Sequence, residues 1–313
     1  MHYAVIDLGS NSIRLSVYEC DGKQIHTAFT DKALAGLAGY VSDDALDVEG
    51  IKKACHILNS FKDIAAKFAE PENISVFASA SLRNVSNGNE AVDMITRETS
   101  LSPVILSGEE EASLGYVGVS NYLDCNDGIM IDIGGASTEL VLFKNGRIEN
   151  LTSLPIGCLN LYVKYVSEIL PKKNERKRIK AKIEKHFSTV DWAQGETQPL
   201  MVGIGGTLRS ALALSRTLFD LPEDGNEILP DHIATASKLL AKNKEKIYLK
   251  VYRTVPERLM TISTGLAILR CALKVFGCET ISVSHFGVRE GYLVDRVLNT
   301  GEKYVISHRF EDC

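Results

Sequence analysis

"MIDIGGASTELVLF", residues 130–143, is the stretch that decides the fold. An apolar run ends in Asp132, a Gly-Gly-Ala-Ser-Thr turn follows, and Glu139 leads into a second apolar run. Apolar runs on both sides of a glycine turn predict a hairpin. The plan occurs twice. In "DLGSNSIRLSVYECDGKQI" (7–25) and "DIGGASTELVLFKNGRI" (132–148), Asp7 matches Asp132, Gly9 matches Gly134, Ser12 matches Ser137 and Leu15 matches Leu140. Each copy reads strand, glycine turn, strand, glycine turn, strand, at 2–8, 13–20 and 24–30 and again at 128–133, 138–144 and 147–153. The first strand of each set is nearly all apolar, as a central strand buried on both faces would be.

Helices and strands then alternate. Residues 44–69 predict an amphipathic helix, with Leu46, Ile51, Ala54, Leu58, Phe61, Ala65 and Phe68 along one face. A strand at 73–79, a helix near 88–97, a strand at 103–106 and a helix from 108 follow. The second half predicts helices over 157–187, a strand at 199–205, helices within 207–276, a strand at 280–284 and a last helix from 288. Three meandering strands followed by alternating helix and strand, twice over, imply two related α/β domains. Their expected bounds are 1–124 and 125–313, divided near Asn121–Asp127, and the last helix can pack back on the first domain.

The totals suit this plan. The chain has 313 residues, 45% hydrophobic and 24% charged, enough for about two domains of ordinary size. A net charge of −5 argues against nucleic-acid binding driven by bulk positive charge. The start of the chain lacks the basic, apolar and cleavage segments of a signal peptide. No apolar run is long enough to cross a bilayer. Cys20, Cys55, Cys125, Cys158, Cys271, Cys278 and Cys313 are scattered without a C-x-x-C, which suits buried free thiols in a reducing compartment, the cytoplasm.

Glycine turns and helix N-termini present backbone N–H groups to phosphate. There are four candidate cradles: Gly9–Ser12, Gly134–Thr138, Gly205–Thr207 and the helix start at Ser107. If the two domains face one another, the cradles meet at one cleft. Asp132 and Glu139 flank the second turn. A carboxylate beside a phosphate is repulsive unless a cation lies between them, and Mg²⁺ takes oxygen ligands from both. Two other readings stay open: Asp132 bonding only its own turn's N–H groups, and Glu139 as a solvated strand-end charge. In "ILSGEEEASLGYVGV" (105–119), Ser107 and Glu110 form a capping box and Glu109 suits the helix dipole. Glu111 is not needed for the cap, so it can orient a water for attack on phosphorus, a reaction that needs mainly positioning and charge neutralisation.

"VIDLGSNSIRLSVYE", "SGEEEASLGYVGV", "MIDIGGASTEL", "SLPIGCLNL", "GIGGTLRS" and "VSHFGVREGYL" occur in one order along the chain. Together they resemble the exopolyphosphatase / guanosine pentaphosphate phosphohydrolase family, over essentially the whole chain. The resemblance implies two duplicated ribonuclease-H-like domains of the actin, sugar-kinase and heat-shock-chaperone superfamily. It implies Mg²⁺-dependent release of terminal phosphate from inorganic polyphosphate or from guanosine pentaphosphate, in a homodimer. It implies that Glu111 is the catalytic base and that Asp132 and Glu139 serve metal binding and water positioning. The implied phosphate loops are Gly9, Ser10, Asn11 and Ser12; Gly134, Gly135, Ala136 and Ser137; and Gly205, Gly206 and Thr207. Arg83, in "ASASLRN", would contact phosphate, and Arg258 and Arg289 also match arginines of the family. The chain departs from the family at Ala136, which replaces the last residue of a three-glycine turn, and at His285. The short form, without the C-terminal His-Asp domain of longer relatives, is expected.

The run "PKKNERKRIKAKIEKHF" (171–187) carries eight Lys/Arg against two Glu, and "KLLAKNKEKIYLKVYR" (238–253) is a thinner basic run. Each is either a solvated helix face or a track for the rest of a polyphosphate chain. The first run has no aromatic residue between its basic ones, which gives little support for nucleic-acid binding. The expected activity is therefore exopolyphosphatase. Guanosine pentaphosphate hydrolysis and a non-catalytic sensor of polyphosphate or guanosine tetra- or pentaphosphate are the alternatives. The three carboxylates argue against the sensor, and the Glu run and "REG" segment argue against a kinase on the same fold.

Overall fold

A computed structural model describes residues 1–123, 125–242 and 245–308. Cys313, Asp124 at the expected domain boundary, and Asn243 and Lys244 of the second basic run lie outside the described residues. The chain divides into two compact units, Met1–Asp124 with Gly287–Cys313, and Cys125–Phe286. The expected second domain, 125–313, thus stops at Phe286, and the last helix and strand belong to the first unit.

The first unit runs β1 (His2–Leu8), β2 (Ser12–Asp21), β3 (Gln24–Leu34), the short pair β4 (Val41–Ser42) and β5 (Ala45–Leu46), α1 (Val48–Ala65), β6 (Ile74–Ala78), α2 (Ala80–Arg83), α3 (Gly88–Thr99), β7 (Val104–Ile105) and α4 (Gly108–Ser120). The end of the chain adds α11 (Val288–Tyr292) and β14 (Val305–His308). The sheet order is β14-β3-β2-β1-β6-β7. β1 is antiparallel to β2 and parallel to β6. Ala4, Val5 and Ile6 have no exposure, as expected for a strand covered on both faces. α1 buries Ile51, Ala54, Leu58, Phe61 and Ala65, each large side chain contributing about 1.5–3 kcal/mol.

This helix ends earlier than its periodicity predicts. Pro71 requires an extended residue before it, and Glu70 is extended at ψ 153°. The chain therefore leaves the helix in a tight turn after Ala65, with Phe68 N–H donating to the Ala65 carbonyl. Phe68, expected on the buried face, is 46% exposed and stacks its ring on Phe29 at 6.1 Å.

α11 joins the first unit through glycines. A methyl on Gly291 would lie 1.8 Å from the Leu114 carbonyl oxygen, and one on Gly118 would lie 2.1 Å from that of Gly287. Only bare backbones pack α11 on α4 at this distance. Tyr18 Oη donates to Glu290 Oε1 at 2.5 Å, and Arg289 donates to Ser16 Oγ at 2.6 Å, tying α11 to β2.

The second unit repeats the plan with β8 (Gly128–Ile133), β9 (Thr138–Lys144), β10 (Arg147–Leu154), α5 (Cys158–Tyr165), α6 (Lys173–Phe187), β11 (Leu200–Ile204), α7 (Gly205–Phe219), β12 (Glu227–Ile228), α8 (Pro230–Ala241), α9 (Glu245–Thr254), α10 (Ile262–Phe276) and β13 (Thr280–Val283). The order is β10-β9-β8-β11-β13-β12. β10, β9 and β8 are antiparallel, and β11 and β13 continue in parallel from β8. Each unit thus has the ribonuclease-H-like arrangement, with its glycine turn at the C-terminal end of the central strand. Cys20, Cys55, Cys125, Cys158, Cys271 and Cys278 are free thiols, and burial pushes that of Cys278 up to about 12. No helix among the described residues is long and apolar enough to cross a membrane.

Candidate active site

The second hairpin brings its two carboxylates together. Asp132 and Glu139 are directly opposite in the β8–β9 register, so their side chains share one face. Glu139 is only 1% exposed and accepts a hydrogen bond from Ser153 Oγ at 2.7 Å. Ser153 is its partner in the β9–β10 register. The solvated reading of Glu139 is therefore overturned. Asp132 lies against Gly205, where a methyl group would be 2.2 Å from Oδ1. Gly205 also has φ +79°, so both space and backbone require glycine.

The third loop starts α7 directly behind this hairpin. Thr207, a sequence candidate for substrate contact, instead uses its hydroxyl internally. Its Oγ1 donates to the Ile133 carbonyl at 2.7 Å, and the residue is 2% exposed. That bond ties the start of α7 to the end of β8. The hairpin turn Gly134–Ser137 and Gly205 at the start of α7 thus lie beside Asp132 in one unit.

Like charges directly opposite one another destabilise a hairpin. The pair fits a hard divalent cation, which commonly uses one or two carboxylates and completes its shell with substrate phosphate and water. Among the described residues no group of three or more His, Cys, Asp or Glu could hold a metal by itself. Asp132 and Glu139 would hold Mg²⁺ only with such outside ligands.

In the first hairpin, Asp7 is opposite Arg14. Burial raises the Asp7 pKa, while Arg14 and then Arg289 pull it down. Ser10 and Ser12 are nearly buried in the turn. Elsewhere in the same unit the capping box forms as read from sequence: Glu110 N–H donates to Ser107 Oγ at 3.1 Å, and Ser107 N–H donates to Glu110 Oε2 at 2.9 Å. Donation from the Ser107 backbone holds the Glu110 carboxyl below its usual range, with Arg296 assisting.

Glu111, the next residue, is held by another partner. Arg83 Nη1 lies 2.8 Å from Glu111 Oε2 and also donates to the Leu106 carbonyl at 2.9 Å. The two side chains are 17% and 12% exposed. Arg83 thus orients the candidate base, a pairing that sequence reading did not foresee. Short α2 delivers it from the end of β6, and no amphipathic pattern marks so short a helix.

Arg258 is 8% exposed, with Nη1 3.9 Å from Cys158 Sγ. The His285 carbonyl accepts from Arg209 at 3.3 Å. The basic run forms α6, which buries Ile179, Ile183 and Phe187 and exposes Lys173, Lys177, Arg178, Lys180 and Lys185.

The chain is similar to known proteins over most of its length. A family model described as the Ppx/GppA phosphatase family matches residues 16–300. A curated relative from Aeromonas hydrophila subsp. hydrophila, guanosine-5'-triphosphate,3'-diphosphate pyrophosphatase, is 29% identical over an alignment of 305 residues that covers 93% of this chain. The chain spans 58% of that relative's length. The crystal structure of the Aquifex aeolicus Ppx/GppA family member superposes with TM-score 0.79 at 26% identity, covering 96% of this chain and 99% of that one. An exopolyphosphatase from Cytophaga hutchinsonii has the same fold, with TM-score 0.83 at 20% identity over 94% of this chain and 97% of that one.

Proposed function

The chain belongs to the Ppx/GppA phosphatase family, and from that premise we propose that it is a Mg²⁺-dependent hydrolase releasing terminal phosphate from inorganic polyphosphate. The observation that carries this reading is the opposed pair Asp132 and Glu139, beside two glycine loops in one unit. Glycine N–H groups hold terminal phosphate oxygens. Asp132 and Glu139 would hold the metal and orient water. Mg²⁺ held there would supply positive charge against the phosphate oxygens. Glu111 takes the proton of the attacking water, and Arg83 fixes the Glu111 carboxylate in place. Gly9, Ser10, Asn11 and Ser12 contribute the first turn's N–H groups to the phosphates.

Guanosine pentaphosphate is the second candidate substrate. The name of the curated Aeromonas relative favours it, and the terminal phosphoanhydride chemistry is the same. The test is purified protein with Mg²⁺ and, separately, polyphosphate, guanosine pentaphosphate or ATP, with released phosphate measured. Phosphate release from polyphosphate supports the first reading. Release from guanosine pentaphosphate alone reassigns the substrate, and release from none of the three rejects hydrolysis. Glu111→Gln should lower release by about 10³-fold while leaving polyphosphate binding largely intact.

A further inference from the structure

Both glycine turns have their carbonyl groups held from behind. In the second turn, the Gly134 carbonyl accepts from Cys158 N–H at 2.9 Å. That of Gly135 accepts from Leu159 and Asn160 N–H at 2.9 and 3.0 Å. The Ala136 carbonyl accepts from Asn160 Nδ2 at 2.9 Å. The Ser137 carbonyl closes the turn by accepting from Gly134 N–H at 3.0 Å. Cys158, Leu159 and Asn160 form the first turn of α5, whose N–H groups have no partner within the helix. Gly157 permits this approach, since a methyl there would lie 2.3 Å from the Gly135 carbonyl carbon.

A trans peptide is planar, so its N–H points opposite to its C=O. Carbonyls of Gly134, Gly135 and Ala136 directed at α5 turn the N–H groups of Gly135, Ala136 and Ser137 to the other side. Among the described residues, Gly135 and Ala136 N–H have no backbone acceptor. Hydrogen bonds in such a chain polarise one another, so the positive end of α5 strengthens the outward donors.

The first turn uses the same device. The Ser10 carbonyl accepts from Ala38 N–H at 3.1 Å, and that of Asn11 accepts from Ala35 and Gly36 N–H at 3.0 and 2.9 Å. The Leu8 carbonyl accepts from Ser81 Oγ. Ser10 and Asn11 match Gly135 and Ala136 in the repeat, so the duplication extends to the segment behind each turn. The difference is at Asn11 and Ala136. Two backbone donors hold the first, whereas one side chain holds the second. Asn160 Oδ1 also accepts from Gly157 N–H at 2.8 Å, so its amide links helix cap and turn.

We propose that Asn160 is a positioning residue for the second phosphate cradle, acting through the Ala136 carbonyl to aim the Ser137 N–H. This rests on the reading of that turn as a phosphate site, not on hydrolysis. The test titrates inorganic phosphate into the full chain, following backbone amides by ¹⁵N NMR. In the unsubstituted protein the Gly135, Ala136 and Ser137 amides should shift. Asn160→Ala should weaken phosphate binding about tenfold, the scale of one lost hydrogen bond. Its KM for polyphosphate should rise by a similar factor, with kcat within about threefold. Asn160→Asp keeps the acceptor for Gly157 N–H, so the fold should survive, but it removes the donor to Ala136 and should also bind phosphate weakly. A folded variant of either kind that binds phosphate within twofold of the unsubstituted protein overturns the proposal, as does an unsubstituted protein whose three amides ignore phosphate. Intact phosphate binding with Asn160-dependent affinity but no phosphate release from any substrate would reject the hydrolase reading alone.

Discussion

In the first glycine hairpin Asp7 lies opposite Arg14; in the second, Asp132 lies opposite Glu139. Strand register and turn length correspond between them. The charge does not. The first hairpin carries its own counter-ion, while the second places two acids face to face and buries one of them. The difference teaches where chemistry is assigned in a duplicated fold. One copy sets an acid opposite a base; the other sets two acids opposite one another, the arrangement that the proposed divalent cation would suit.

The largest expected effect comes from removing one of the two opposed acids. Asp132→Asn should lower phosphate release by about 10³-fold or more and abolish its dependence on Mg²⁺, as read by steady-state kinetics across a metal titration. A variant that keeps its Mg²⁺ dependence would break the comparison.

Glycine-to-alanine substitutions sharpen it next. Gly205→Ala combines an adverse φ of +79° with a contact of 2.2 Å to Asp132 Oδ1. It should cost about 2–4 kcal/mol by denaturant melting and reduce turnover about a hundredfold. Gly9→Ala in the first turn meets the Ser12 carbonyl at 2.9 Å and, at ordinary contact distance, Asp7 Oδ1 at 3.8 Å, without a positive φ. It should cost about 1–2 kcal/mol. Equal losses at the two positions would argue that the close contact of Gly205 with Asp132 carries no special weight.

Arg14→Met strips Asp7 of its cross-strand partner and should destabilise the protein by about 1–3 kcal/mol. The loss should shrink on acidification, because burial already favours the protonated Asp7 carboxyl. Mg²⁺ dependence of turnover should be unchanged. The smallest effect belongs to Ala136→Gly. Ala136 is not among the residues with positive φ, so its methyl demands no left-handed backbone. Restoring glycine should cost less than about 1 kcal/mol and leave turnover within about twofold.

The repeat at 7–25 and 132–148 made the duplicated strands legible, because alternating glycine turns and apolar runs are local signals. All three strands of the second set begin where the periodicity predicts. The capping box at Ser107 was legible for the same reason. What escaped depends on contacts distant in sequence. β14 pairs with β3 across nearly the whole chain, and its short run has no periodicity of its own. The last helix is expected to be able to pack back on the first domain, and α11 does; the close approach of Gly118 and Gly291 that lets the two backbones touch is what a lone glycine in a helix does not announce. The Arg83–Glu111 pair joins residues 28 apart, and Asn160 reads as an ordinary helix-cap residue until its amide is seen on Ala136. The bond from the Thr207 hydroxyl to the Ile133 carbonyl likewise joins residues far apart in sequence.

The most direct test of the charge contrast is the thermal midpoint with inorganic phosphate present, in EDTA and in Mg²⁺, for the unsubstituted chain and for Glu139→Gln. Mg²⁺ should raise the midpoint of the unsubstituted chain by a few degrees, as a ligand bound only by the folded state does. Glu139→Gln should gain little from Mg²⁺, and in EDTA it should melt no lower than the unsubstituted chain, since the like-charge contact is gone. An unsubstituted chain indifferent to Mg²⁺, or a Glu139→Gln variant stabilised by it to the same extent, would contradict the assignment of the cation to the second hairpin.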